Sequence, residues 1–210
     1  MIHRLKWIAT AALMLLSSLA SAEFKAGVHY TVLAEPVAVV ADGKIHVEEA
    51  FWYGCPHCFS LEDYVRPWKA KMPDDVKFTG LPAMFGRAWV VHAQLYHVAD
   101  VLGVLDQVHY DIFRAVNVEG PRLLSRKEQR EFLMSRANVN EADFEKAYDS
   151  FAVKSRMQQV DQRIRAYQID GVPAMIVQGK YVVNARMAGG QHRVMDVVDH
   201  LIGLERSTAR

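Results

Sequence analysis

Residues 44–58 read Lys-Ile-His-Val-Glu-Glu-Ala-Phe-Trp-Tyr-Gly-Cys-Pro-His-Cys and contain both cysteines of the chain. Lys44 to Trp52 has the β-branched and aromatic content of a strand. Tyr53-Gly54 turns the chain. Pro56 suits an early helical position, where its missing N–H costs nothing. The helix should run to about Met72, ahead of Pro73, with a kink at Pro67. Val76 to Leu81 reads as a second strand. Strand, helix and strand in this order favour a parallel pair with a right-handed crossover.

Cys55 and Cys58 make a poor structural staple, because a bridge over two residues closes a tiny loop and restrains the unfolded chain least. A C-x-x-C beside a βαβ pattern reads instead as a thioredoxin-like redox motif. At a strand-to-helix junction Cys55 meets free N–H groups and the positive end of the helix dipole. Both favour the thiolate, the nucleophile of disulfide exchange. Cys58, one turn into the helix, is the internal partner, and His57 is placed to lower the Cys55 pKa further. No second C-x-x-C and no H-x₃₋₅-H pair is expected to complete a zinc site, and Phe59 after Cys58 breaks the C-x-x-C-H pattern of haem attachment. The site is expected to hold no metal and to need no bound cofactor.

Downstream, residues 87–167 carry helical spacing. Leu105, Val108, Ile112 and Val116 share a face. Ser125-Arg126-Lys127-Glu128 is a capping box, Asn140 is an N-cap, and Val153, Met157, Val160, Ile164 and Tyr167 keep a helical rhythm. These stripes read as core. Ala174–Val177 and Tyr181–Val183 form a hairpin around Gly179-Lys180, and a last helix spans about Gln191 to Arg206. The plan is β-α-β, a helical block, then β-β-α. Gly171-Val172-Pro173-Ala174 precedes the hairpin. Statistics alone would make the Val172–Pro173 bond trans; with the C-x-x-C upstream a cis bond is expected, leaving the backbone of Val172 free to pair with an extended peptide beside Cys55.

Upstream, Arg4 and Lys6 precede an apolar run from Trp7 to Leu16, and Ala20-Ser21-Ala22 is a small-residue cleavage site. This is the order of a secretory signal peptide over residues 1–22, too short to span a membrane as a helix. Of 210 residues, 188 remain after cleavage, with 23 basic against 24 acidic side chains. That length suits one domain with an insertion, and no basic field suggests a nucleic-acid partner.

Phe51 to Cys58, the helical block, Ser150-Phe151-Ala152-Val153-Lys154-Ser155 and Gly171-Val172-Pro173-Ala174-Met175 together resemble the DsbA family of bacterial periplasmic dithiol oxidases. The likeness covers essentially all of residues 23–210. It implies an α/β thioredoxin fold interrupted by an inserted helical domain, divided as 23–83, 84–154 and 155–210. It implies oxidation of reduced, unfolded exported proteins in the periplasm, and reoxidation by a membrane quinone-linked partner resembling DsbB. By position it makes Cys55 the nucleophile, Cys58 the buried thiol and Pro173 the cis-proline. Pro56 and His57 tune the site, and Glu49 matches a buried acid beneath it. Alternation turns either Glu48 or Glu49 outward. The resemblance also implies a strongly acidified Cys55 and, with it, a disulfide that destabilises the folded chain at pH 7.

Phe51, Trp52, Phe59 and Phe85 are expected to line an apolar groove for unfolded chains. A disulfide isomerase or reductase of the dimeric kind carries an N-terminal dimerisation domain, for which the roughly 30 residues between the cleavage site and Cys55 leave no room, so a monomer is expected. A chaperone using the helical block would make the C-x-x-C incidental.

Overall fold

A computed structural model describes residues 24–208. The signal-peptide reading of residues 1–22 lies outside the described residues. Five strands form one sheet: β1 (Thr31–Val32), β2 (Ile45–Phe51), β3 (Val76–Pro82), β4 (Ala174–Val177) and β5 (Tyr181–Val183). Their order is β1-β5-β4-β2-β3. β2 and β3 are parallel, with Glu49 opposite Gly80, and the remaining pairs are antiparallel. The crossover from β2 to β3 is helix α1 (Pro56–Lys69).

Helices α2 (Arg87–Val101), α3 (Leu105–Arg114), α4 (Arg126–Arg136), α5 (Glu141–Tyr148) and α6 (Phe151–Ala166) follow. Ser125 and Glu128 form both bonds of the capping box of α4, and Asn140 and Ser150 cap α5 and α6 through their side chains. The single turn α7 (Ala185–Ala188) and the long α8 (Val194–Thr208) close the chain.

β2 lies between β3 and β4 and is buried along almost its whole length. Val47, on one face, packs with Leu61 and Val65 of α1 and with Val197, Val198 and Leu201 of α8. Ala50, on the other, packs with Val160 and Ile164 of α6. The two cysteines belong to a third cluster, shared with Leu95, Ile112, Phe113 and Leu133 of the helical block. Helix α6 runs unbroken through residues 154 and 155.

The structure differs from the sequence reading at several ends. α1 stops at Lys69, three residues before Met72, and Pro67 lies within it. Val116 sits in a wide π-turn over Ala115–Glu119 instead of continuing α3. A 3₁₀ turn over Gln191–Arg193 precedes α8. Strand β1 and the turn α7 have no counterpart in the sequence reading.

Candidate active site

Cys55 is the N-cap of α1, with extended backbone angles, and Pro56 follows at the first helical position. The local sequence explains this placement. Pro fixes a helical φ without needing an N–H partner, and the extended Cys55 leaves its side chain over the first turn. The Cys58 N–H points at Cys55 Sγ, 3.4 Å away. Both thiols are free. Cys55 keeps 8 % of its surface exposed and Cys58 none.

The two sulfurs differ sharply in acidity. The hydrogen bond from the Cys58 thiol is the largest influence on Cys55 and holds it down at about 6. Burial opposes this, while the amides of Cys58 and His57 and then the His57 charge assist. Burial pushes the Cys58 thiol far above the ordinary range, reinforced by its bond to Cys55 and the charge there. One sulfur is therefore a thiolate near neutrality, and the other holds its proton.

His57 is exposed, and its carbonyl accepts a hydrogen bond from Gln191 Nε2 at 2.8 Å. The Val172–Pro173 bond is cis, in line with the sequence reading. The carbonyl of Val172 lies 3.9 Å from Cys55 Sγ. A groove of about 540 Å³ runs past this point, lined by His57, Tyr167, Gln168, Val172, Pro173 and Gln191.

Beneath the cysteines, alternation along β2 separates the two acids. Glu49 shares the face of Val47 and is 1 % exposed, with Oε1 lacking a hydrogen-bond partner. Burial raises its carboxyl well above the usual range, and the charge of Glu62 raises it further. A solvated strand-edge carboxylate is thereby ruled out for this residue. Glu48 points to the opposite face, where Arg163 reaches it at 2.7 Å and Tyr167 donates its hydroxyl.

The aromatic groove needs one correction. Phe51 does not line it: the ring is buried against Tyr53, Tyr96 and Phe113, because β2 is covered on both faces. Trp52 stacks on Trp89 with centroids 4.3 Å apart. Phe59 is half-buried and Phe85 exposed.

Several residues that surround the site were not singled out from the sequence. Tyr53 Oη lies 2.8 Å from His109 Nδ1, and His109 Nε2 lies 3.6 Å from Glu62 Oε1. Asn117, in the π-turn, donates to the carbonyls of Tyr53 and Phe113, both at 2.8 Å. All are brought in by tertiary packing, with no local pattern to betray them. Contrary to the expectation of no H-x₃₋₅-H pair, His92 and His97 keep an H-x₄-H spacing. On one helix, however, a five-residue step turns side chains to different faces. His92 Nε2 bonds the Arg122 carbonyl at 2.8 Å, whereas His97 lines a cavity beside β3.

Comparison with known proteins gives a consistent result. The DSBA-like thioredoxin domain family matches residues 75–201. The thiol:disulfide interchange protein DsbA of Pseudomonas syringae pv. tomato is 40 % identical over 203 residues, covering 97 % of this chain and 94 % of that protein. The protein of the same name from Azotobacter vinelandii is 43 % identical over 190 residues, covering 90 % and 88 %. The crystal structure of Pseudomonas aeruginosa DsbA superposes with a TM-score of 0.83 at 41 % identity, covering 89 % of this chain and 96 % of that one.

Proposed function

The chain belongs to the DsbA family of thiol:disulfide interchange proteins, and from that premise we propose that it works as an oxidase, donating a Cys55–Cys58 disulfide to reduced, unfolded exported proteins. One observation carries this direction: Cys55 is held at about 6 while Cys58 is pushed far up. A stabilised thiolate favours the dithiol product, and so favours giving the disulfide away.

A substrate thiolate attacks Cys55 Sγ, and the Cys55–Cys58 bond breaks. Cys58 leaves as a thiolate in a site without water access and takes a proton. Glu49 is the donor, being buried and raised in pKa beside it, and it recovers that proton from solvent. A second substrate thiolate then attacks the substrate sulfur of the mixed disulfide, and Cys55 departs as the stabilised thiolate. Two substrate thiols lose two electrons and two protons. One proton ends on Cys58 and one goes to solvent. Electrons pass from sulfur to sulfur, so the step as written uses no bound cofactor.

Pro56 starts the helix whose amides hold Cys55, and His57 adds charge. Val172 and Pro173 present backbone to the client in the groove. The dithiol form is reoxidised by a membrane quinone-linked partner resembling DsbB. The protein acts as a monomer in the periplasm, after cleavage behind Ala22, with a helical insertion (84–154) between two thioredoxin-like parts (23–83 and 155–210). Among the described residues no helix is long and apolar enough to cross a membrane.

The test is oxidation of a reduced, unfolded protein. The oxidised enzyme should outpace an equal concentration of glutathione disulfide, and Cys58→Ala should accumulate mixed disulfides with the client on a non-reducing gel. Oxidation no faster than with glutathione disulfide would refute the oxidase.

A further inference from the structure

To reach Cys58, the proton must sit on Glu49 and not on the second acid buried beneath the site. Two carboxyls, Glu49 on β2 and Glu62 on α1, are both buried, and the charge of Glu62 raises the Glu49 carboxyl further. Two like charges buried from solvent together cannot both stay ionised at low cost, so the pair holds a proton that either acid could carry. The cation-capable group that touches Glu62 is His109, on α3, with Nε2 at 3.6 Å from Oε1. Glu62 is 2 % exposed and His109 is 17 % exposed at the side chain.

Packing alone does not call for an imidazole here. The ring is surrounded by Phe51, Tyr53, Tyr96 and Phe113 at centroid distances of 5.2–5.9 Å, a box that a phenyl ring would also fill. Both ring nitrogens are nonetheless engaged. Burial keeps the Tyr53 phenol protonated, and its oxygen lies 2.8 Å from Nδ1. With the proton on Tyr53 directed at Nδ1, the Nε2–H faces Glu62. His109 also lines the cavity of about 440 Å³ that Glu49 borders. Other charged groups reach that cavity from each element around it: Lys69 from α1, His97 and Asp100 from α2, Asp106 from α3 itself, and Arg156 and Arg163 from α6. Asp100 is paired with Arg156, and Arg163 with Glu48. Among the described residues, His109 is the one in ion-pair contact with Glu62.

We propose that His109, held by Tyr53, is a positioning residue for the exchange reaction: it keeps the negative charge of the buried acid pair on Glu62 and so leaves the proton on Glu49, beneath Cys58. This rests on the assignment of Glu49 as proton donor under Proposed function.

The test follows the side-chain carboxyl ¹³C shifts of Glu49 and Glu62 against pH in the reduced full-length protein. In the wild type Glu62 should titrate well below Glu49. In His109→Gln the gap should narrow by about one pH unit or more, because Glu62 loses the Nε2–H donor that the imidazole held against its carboxylate and rises more than Glu49. Tyr53→Phe, which removes only the hydrogen bond, should narrow it in the same direction by less, and it serves alone if His109→Gln does not fold. A gap unchanged in the folded variants would overturn the proposal. Glu49 titrating in the ordinary carboxylate range in a wild type that still oxidises clients would overturn both the proposal and Glu49's role as donor, leaving the disulfide exchange itself standing.

Discussion

Two residues separate Cys55 from Cys58, yet burial and hydrogen bonding drive their thiols in opposite directions. The helix N-terminus is only part of the cause. The leading one is the Cys58 thiol, which donates to the Cys55 sulfur, with the His57 charge the smallest contribution named. Cys58→Ala should therefore raise the Cys55 midpoint more than His57→Ala does, read from thiolate absorbance at 240 nm against pH. A larger rise in His57→Ala would reverse that ranking. The sequence makes Cys55, Cys58, Pro56 and Pro173 legible because each is marked by local chemistry: a C-x-x-C, a helix start, a strand start. It leaves Glu48 and Glu49 undecided, since alternation fixes their opposition but not which faces α1. Tyr53, Glu62, His109 and Asn117 are silent in sequence because their partners lie on other elements.

The elements were readable wherever a stripe or a cap was long enough to show. The alternation of β2, the capping box of α4 and the hairpin of β4 with β5 are all of that kind. β1 has two residues and exists through its pairing with β5, and α7 is a single turn, so neither has room for a period. Phe51 was misplaced for a related reason: being central in the sheet is a property of topology, not of the strand's own residues. Two side-chain contacts separate support of the fold from support of the site. Ser125→Ala removes the cap of α4, and Asn117→Ala frees the Tyr53 carbonyl at the turn into α1. Each should cost about 1 kcal/mol in urea unfolding. Only Asn117→Ala should also move the Cys55 titration, because Tyr53 leads directly into the motif. An unmoved Cys55 midpoint in Asn117→Ala would mean that the π-turn supports the fold alone.

At the scale of the molecule, the helical block and the sheet share the cysteines: Cys55 and Cys58 pack in the cluster of the block while α1 carries them on the sheet. Redox state should therefore register in global stability, with a sign set by pH. The folded Cys55 pKa of about 6 lies below the reference thiol value of 9.0. Its ionisation stabilises the dithiol form fully above pH 9, and that stabilisation is lost as pH falls through 6. At pH 7 it amounts to about 1.4 kcal/mol, and its full value is about 4. Closing a four-residue loop returns about 2 kcal/mol to the disulfide form by loop entropy. The disulfide form should thus be the more stable at pH 5 and the less stable at pH 9, with the order reversing between about pH 7 and 8. At pH 7 the two contributions differ by less than about 1 kcal/mol, a smaller effect than the strongly acidified Cys55 implied by the resemblance would give. Urea midpoints of both forms at pH 5 and pH 9 check it, and the same order at both would contradict the Cys55 pKa.

The most direct measurement of the oxidase assignment is the reduction potential of the Cys55–Cys58 pair, equilibrated with glutathione at pH 7. A bridge that returns little net stability to the fold, next to a thiolate that is stabilised once the bridge opens, is an oxidising one. The potential should be less negative than about −200 mV, on the disulfide-donating side of the glutaredoxin range. A value of about −270 mV or below, where thioredoxin lies, would contradict the account and make this protein a reductase.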